Sequence, residues 1–422
     1  MPSDDVEVVV IGAGAAGIAA ARRLCAASVS CLLVEARPRL GGRAFTVIDE
    51  RGFALDLGCG WLHSADRNPW VGIAQEQGAT IDKSVPPWQR RSLEIGFPRA
   101  DQDDFQKAFA SFFARVSAAA ETERDVPASS LLEPGGRWNG LISALGTYIS
   151  GGELECLSVK DFDRYEDSGI NWRIVSGLGS IIRDYGAGLP VALDCLVQRV
   201  DHGNKRLRIE TTKGAITADR AIVAVPSTIL ADEQILFTPA LPQKTQAAAG
   251  LPLGLNDKLF MSLDHAEEFG PDLRVFGHTD RAATAAYQFR PLGRPQIEAY
   301  FGGRLARELE SQGDEAFFRF AVSELTQLFG NDFARRLKPI RIHLWGVDPF
   351  ARGSYSFALP DRADGRAVLA EPVDNRLFFA GEACSAHDFS TAHGAWHTGV
   401  AAADSVIAAR KGSSATPAAS AS

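Results

Sequence analysis

The chain has 422 residues, 45% of them hydrophobic and 23% charged, with a formal net charge of −8. That length suits two or three domains with substantial cores, and the acidic balance excludes the global basic field that draws nucleic acid. No apolar run reaches the ~18 residues of a transmembrane helix, and the few residues before the first strand leave no room for a signal peptide, so a cytoplasmic protein with no membrane partner is expected. The six cysteines, Cys25, Cys31, Cys59, Cys156, Cys195 and Cys384, are scattered without metal-like spacing. Reduced thiols and no bound metal are therefore expected.

The first element is the apolar run Val6–Ile11, which has no polar face and predicts a parallel strand buried on both sides. Gly12, Gly14 and Gly17 follow it directly and open an alanine-rich helix over about 15–27, with Ala15 and Ala16 in its first turn. A second strand follows at Leu32–Val34, with Glu35 at its end and Ala36-Arg37 beyond. Glycines after a strand, a helix after the glycines, a second strand and an acid about 20 residues on together predict a dinucleotide cradle. The first glycine makes the turn, the second admits a pyrophosphate and the third lets helix and strand approach. The acid would accept hydrogen bonds from the ribose hydroxyls.

Residues 44–57 alternate around Gly52 and predict a hairpin, and Asn68-Pro69 predicts a capped helix to about Gln77. From about 81 to 175 there is no sheet-like repetition. Helices are predicted over 105–120, with Phe109, Phe112 and Phe113 on one face as core, and over 141–150. Another helix runs to about Tyr185, and strands are predicted at 191–200, 206–211 and 215–225. Further strands fall near 259–263, 274–278, 285–289 and 297–301, and a helix spans about 314–329. The chain closes with the buried run from Leu377 to Glu382, a helix over about 393–403, and a tail over 412–422 whose composition predicts disorder.

Beyond the cradle, Glu35-x-x-x-Arg39-x-Gly41-Gly42-Arg43 resembles the FAD-binding motif of the flavin-containing amine oxidase superfamily. The run Gly58-Cys59-Gly60-Trp61-Leu62-His63 before Asn68-Pro69 resembles its polyamine oxidase branch, and Phe379-Ala380-Gly381-Glu382 resembles its terminal FAD strand. Motif order matches from Val6 to about Ala403. The resemblance implies an α/β fold. A doubly wound FAD-binding domain would be built from residues 1–80, 176–246 and 340–411, and a mixed α+β substrate domain from 81–175 and 247–339.

The resemblance also implies site residues. Val197, Val225, Pro226, Trp345, Gly381, Glu382, His393, Gly394 and Ala395 would join the glycine motif, Glu35, Ala36, Arg37, Gly41, Gly42, Arg43 and 58–61 in holding FAD. Lys258 would hold a water near flavin N5. Tyr355 would form one wall of an amine slot, Thr391 would stand where relatives place a second ring, and His63 and Trp61 would line the cavity. Ser354 replaces the cysteine that binds flavin covalently in mitochondrial monoamine oxidases, which implies noncovalent FAD. Trp61 stands near where amino-acid oxidases have an arginine for a carboxylate, which weighs against α-amino acids.

The implied reaction is FAD-dependent amine oxidation. Hydride passes from the carbon next to the amine nitrogen to flavin N5, the imine hydrolyses, and dioxygen is reduced to hydrogen peroxide. The expected partners are a small-molecule amine and dioxygen. A flavin desaturase or protoporphyrinogen-type oxidase and a noncatalytic flavin-binding redox sensor remain as alternatives.

Overall fold

In the computed structural model, which describes residues 5–413, the chain packs as two compact units. The first comprises the chain up to Gly42, Ile182–Ala249 and the chain from Arg366 on; the second comprises Arg43–Ile181 and Gly250–Gly365.

The first unit is organised by an eight-stranded sheet. Asp5–Ile11 lies at its centre, parallel to Gly214–Val223 on one side and to Cys31–Val34 on the other. Val8, Val9 and Val10 are fully buried, which explains the run without a polar face. Gly214–Val223 is long enough to serve two partners. Its first half pairs antiparallel with Leu207–Thr211, and its last three residues pair parallel with Leu377–Phe379.

The single strand expected over 191–200 is two strands. Val191–Ala192 extends the parallel edge beside Leu33 and Val34, whereas Val197–Asp201 pairs antiparallel with Leu207–Thr211. Between them Asp194 turns to φ +49, and the amides of Asp194 and Cys195 bond to the carbonyls of Arg37 and Glu35. The chain thereby leaves one end of the sheet and re-enters at the other.

The core of the second unit is a five-stranded antiparallel sheet in the order Leu273–Phe276, Ala286–Phe289, Gln296–Gly302, Asn256–Leu263, Leu337–Arg341. Asn256–Leu263 is buried at all eight positions. Phe301 and Phe317 pack edge to face, the latter from the helix Asp314–Phe329. The helix expected from Phe105 begins earlier, at Arg99. Its aromatic stripe is core: Phe105 and Phe112 are buried among Phe97, Trp138 and Leu141.

One sequence expectation is corrected here. The region 81–175 does contribute strands, since Ile81–Asp82 and Trp172–Ile174 form a small sheet with Trp61–Leu62. Strands of two or three residues are too short to show a period. That pairing also ties 43–80 to 172–174, and Leu337–Arg341 joins the five-stranded sheet. The compact units end after residues 42, 181, 249 and 365. The final helix, Ala392–Ser413, runs past the expected end near 403; the tail expected from 412 lies outside the described residues beyond Ser413.

In the first unit this last helix crosses the opening helix, Ala15–Ala26, at glycine. A Cβ on Gly399 would stand 2.1 Å from the carbonyl oxygen of Ala16. Gly399→Ala should therefore force the helices apart at a cost of about 1–3 kcal/mol. A thermal unfolding midpoint equal to that of the wild type would show that the crossing is not tight.

Candidate cofactor cradle and active site

The cradle in the first unit is built by close approach. Gly12 has φ +98, and a Cβ there would lie 2.5 Å from the carbonyl of Ala224, with a Val225 methyl at 3.5 Å. A Cβ on Gly17 would lie 1.8 Å from the carbonyl of Gly12. Nothing lies within 4 Å of a Cβ placed on Gly14, so open space remains at the middle glycine. The helix that begins there has no side-chain cap and no acid in its first turn. Its free amides and partial positive charge suit a phosphate.

Gly41 bonds its amide to the carbonyl of Ala13, and a Cβ on Gly42, at φ +57, would sit 3.1 Å from the Gly14 Cα. Glu35 is buried, and its two carboxylate oxygens accept from the amides of Ala13 (2.7 Å) and Arg37 (2.9 Å). Burial pushes its pKa up against those bonds. Each oxygen keeps a lone pair for a ribose hydroxyl. Ala15 and Ala16 are buried in the first helical turn, and Ala36 is half-buried beside Arg37.

Elsewhere in this unit, Val197 is buried in its strand, and Pro226 precedes the short helix Ser227–Ala231. Gly381, at φ +140, donates its amide to the Thr398 hydroxyl. Buried Glu382 accepts from the amide of Ser390 at 2.9 Å. The Thr391 hydroxyl accepts the amide of Gly394 at 3.0 Å and donates to the carbonyl of Asp388 at 2.6 Å. It therefore works as a cap for the final helix. Gly394 is needed because a Cβ would meet the Asp388 carbonyl at 1.9 Å. His393 is buried with Nε2 at 3.3 Å from Asp388 Oδ1, and Ala395 is buried one turn into the helix.

The second unit gathers Lys258, Trp61, Gly60, Asp56, Arg173 and Glu298 around a cavity of about 40 Å³. That is room for water among polar partners. Lys258 Nζ donates to the carbonyl of Asp56 at 3.0 Å, lies 3.3 Å from Glu298 Oε1, and stands 5.5 Å from the centre of the Tyr300 ring. The Asp56 carboxylate accepts from the Thr46 hydroxyl and the amides of Leu178 and Gly179. Burial nevertheless raises its pKa.

The Trp61 ring packs edge-on against Trp88, with the Arg173 guanidinium 4.9 Å from its centre. Arg173 is held in turn by Asp82 and, through two bonds, by Asp272. His63 is half-buried, with Nδ1 2.7 Å from Asn171 Oδ1. Burial lowers its pKa, favouring the neutral ring.

Gly58 is tight against Arg43, since a Cβ would lie 1.8 Å from the Arg43 carbonyl. Arg43 itself donates to the carbonyl of Ser354 at 2.8 Å. Burial, with the Asp56 charge, pushes the Cys59 thiol up to about 12. The Tyr355 hydroxyl donates to the carbonyl of Tyr148 at 2.6 Å, and burial raises its pKa. Trp345 is buried and donates from Nε1 to the carbonyl of Leu57 at 2.9 Å.

Sequence reasoning missed Glu298, Tyr300, Arg173 and the carboxyl pair Asp257–Glu310. An acid at the third position of Gln-Ile-Glu-Ala-Tyr-Phe was the available signal, because that run reads as a buried strand. The Asp257 side chain is fully buried and accepts the Trp345 amide at Oδ1 at 3.1 Å, with no hydrogen-bond partner at Oδ2 among the described residues. Glu310 in turn accepts the amide of Gly346 at 2.8 Å.

A glycine cradle on a parallel sheet, joined in the same chain to a buried lysine at a polar cavity, defines a flavin-dependent oxidoreductase. The comparisons with known proteins agree. The sequence model of the flavin-containing amine oxidoreductase family matches residues 91–407, and that of an NAD(P)-binding Rossmann-like domain matches residues 10–74. The chain is 31% identical to "Probable polyamine oxidase 4" of Arabidopsis thaliana, over 94% of this chain and 86% of that protein. It is 30% identical to polyamine oxidase 3 of Oryza sativa subsp. japonica, over 94% of this chain and 88% of that protein. A double and a triple mutant of putrescine oxidase, redesigned in cofactor binding, share the fold at TM-scores of 0.76 and 0.77 and 18% identity.

The chain belongs to the flavin-containing amine oxidoreductase family, in its polyamine oxidase-like branch. It is an FAD-dependent amine oxidase, and the open Gly14 position, the uncapped helix and Glu35 fit that cofactor. Among the described residues no group of His, Cys, Asp and Glu is placed to hold a metal, and no helix is long and apolar enough to cross a membrane.

The buried carboxyl pair yields a stability prediction. Asp257 holds its proton well above the usual carboxylate range, because burial and Glu310 both oppose its charge. A raised folded pKa contributes stability at low pH that is lost as pH climbs through that value. Asp257→Asn keeps an acceptor for the Trp345 amide and removes the titrating proton. As pH rises above the ordinary carboxylate range, the unfolding midpoint of the variant should fall less than that of the wild type; parallel curves would show that the Asp257 carboxyl is not raised.

Proposed function

We propose that the chain oxidises secondary or bulky amines of the polyamine class, with dioxygen as acceptor and hydrogen peroxide as product. The observation that carries this reading is Lys258, buried beside a water-sized polar cavity in a chain of this family. FAD, when bound, would supply the hydride-accepting chemistry for the carbon next to the amine nitrogen. The chain's own residues position, desolvate and manage protons. Trp61 and Tyr355 present aromatic walls, and His63, kept neutral by burial, can accept a proton. Lys258 holds a water and presents positive charge toward dioxygen.

The absence of a ring at Thr391 supports a wider slot than a small primary monoamine requires. The polyamine oxidases among the relatives support the same substrate class. Across an amine panel, peroxide release should be fastest with polyamines and other secondary amines. A wide preference for benzylamine-like primary amines would overturn the substrate assignment.

Ser354 supports noncovalent FAD. Its hydroxyl donates to the carbonyl of Asn256 and accepts the amide of the same residue, and it offers no thiol. Acid should release all of the flavin as FAD, and flavin retained on the denatured chain would refute this.

Lys258→Met keeps an apolar stem of similar length and removes the charge. Recovery of oxidised flavin on mixing with oxygen should slow by roughly 10²-fold, the scale of a lost electrostatic contact. Anaerobic bleaching by amine should slow less. Wild-type rates in both halves would place Lys258 outside the chemistry and reopen the desaturase alternative.

A further inference from the structure

We infer that Glu298 is the positioning residue that keeps Lys258 a cation, so that the lysine acts on oxygen as a fixed charge and does not take the substrate's proton. This rests on the reading of Lys258 given above. The strand register builds the arrangement. Lys258 lies opposite Tyr300, and Phe260 lies opposite Glu298. Glu298 and Tyr300 are two residues apart on one strand and so share a face. Glu298 Oε1 accepts the Tyr300 hydroxyl at 2.7 Å and meets Lys258 Nζ at 3.3 Å. The Lys258 and Glu298 side chains are only 10% and 12% exposed, so water screens the pair weakly.

The other charged and titratable groups around Nζ are committed elsewhere or carry no negative charge. Asp56 gives Lys258 its backbone carbonyl; its carboxylate is held by Thr46, Leu178 and Gly179, and burial raises its pKa although the Lys258 charge opposes that rise. The Cys59 thiol is pushed up to about 12 and stays protonated. His63 is held neutral by burial, with Asn171 at its Nδ1. Arg173 is engaged by Asp82 and Asp272, and Arg294 donates to the carbonyls of Ala54 and Val175. Burial raises the Tyr300 hydroxyl well above its usual range, so it donates and stays neutral. Among the described residues, Glu298 is therefore the carboxylate that meets Lys258 Nζ within ion-pair distance.

An opposite charge at this range favours the charged form of its partner, by about 1–3 pH units where the partner is a titrating group. Glu298→Gln preserves the shape and the bond from Tyr300 and removes only the charge. In the oxygen half-reaction, the alkaline fall in rate should move to lower pH. The amine half-reaction, followed by anaerobic bleaching, should shift less. Glu298→Asp keeps the charge at shorter reach and should shift the limb less, in the same direction; it also reads the effect if the Gln variant loses FAD. Tyr300→Phe leaves the ion pair in place and should leave the limb near its wild-type position, whereas a merely structural role for this cluster would move all three variants together.

A wild-type alkaline limb in Glu298→Gln and Glu298→Asp, with FAD bound and the unfolding midpoint kept, overturns the inference. Wild-type oxygen recovery in Lys258→Met overturns the reading of Lys258 instead, so the two failures are told apart.

Discussion

The second unit depends on one constraint: a strand buried at every position must carry an acid and a base side by side. Asn256–Leu263 runs through the middle of a five-stranded sheet, where neither face meets solvent. Successive side chains point to opposite faces, so Asp257 and Lys258 cannot neutralise each other. Each must be compensated separately, because an isolated buried charge is far costlier than any packing gain. The strand solves the two problems differently. Burial and the nearby Glu310 charge raise the pKa of Asp257, which favours its neutral form. Lys258 is given an ion-pair partner, Glu298, and a backbone carbonyl.

The neutral side of that solution fixes the local backbone. Asp257 and Glu310 accept the amides of Trp345 and Gly346, two consecutive residues of a turn. The turn then holds the Trp345 ring so that its Nε1 reaches the carbonyl of Leu57. Gly346 is required there, since a Cβ would come within 2.3 Å of Glu310 Oε2. These two bonds tie the turn to the buried acids, because losing either would leave an amide without its acceptor.

The glycine cradle, the parallel strands and the capped helix at Asn68-Pro69 were legible because each has a local signature in spacing or residue type. Asn68 does accept the amide of Trp70. Lys258 was legible only through family resemblance, since nothing in Asn-Asp-Lys-Leu-Phe says that the strand is buried on both faces. The partners of Glu298 and Glu310 were not legible, because they are set by strand register and by the return of a distant helix and turn. The split at Asp194 was hidden for a related reason. Sequence shows that 191–200 favours extended backbone, but not that its two halves serve opposite ends of one sheet. The function of Thr391 is the subtlest case: a threonine before Ala-His-Gly reads as a missing ring by resemblance and as a helix cap by geometry.

The two units also follow opposite rules for polar groups. In the first, the helix after Gly14 has no side-chain cap, and the middle glycine faces open space, so backbone donors are left for an anionic ligand. The cradle is rigid because Gly12 and Gly17 approach neighbouring carbonyls too closely to shift under substitution. In the second, almost every charge around Lys258 already has its partner. Arg173 has Asp82 and Asp272, Arg294 has two carbonyls, and Asp56 has three donors. A binding surface must leave donors unfilled, whereas a reacting centre gains from fixing its dipoles before the reaction starts. The saturated network around Lys258 therefore suits a charge that must not relax when electrons move, while the open helix end suits a phosphate that must be recognised.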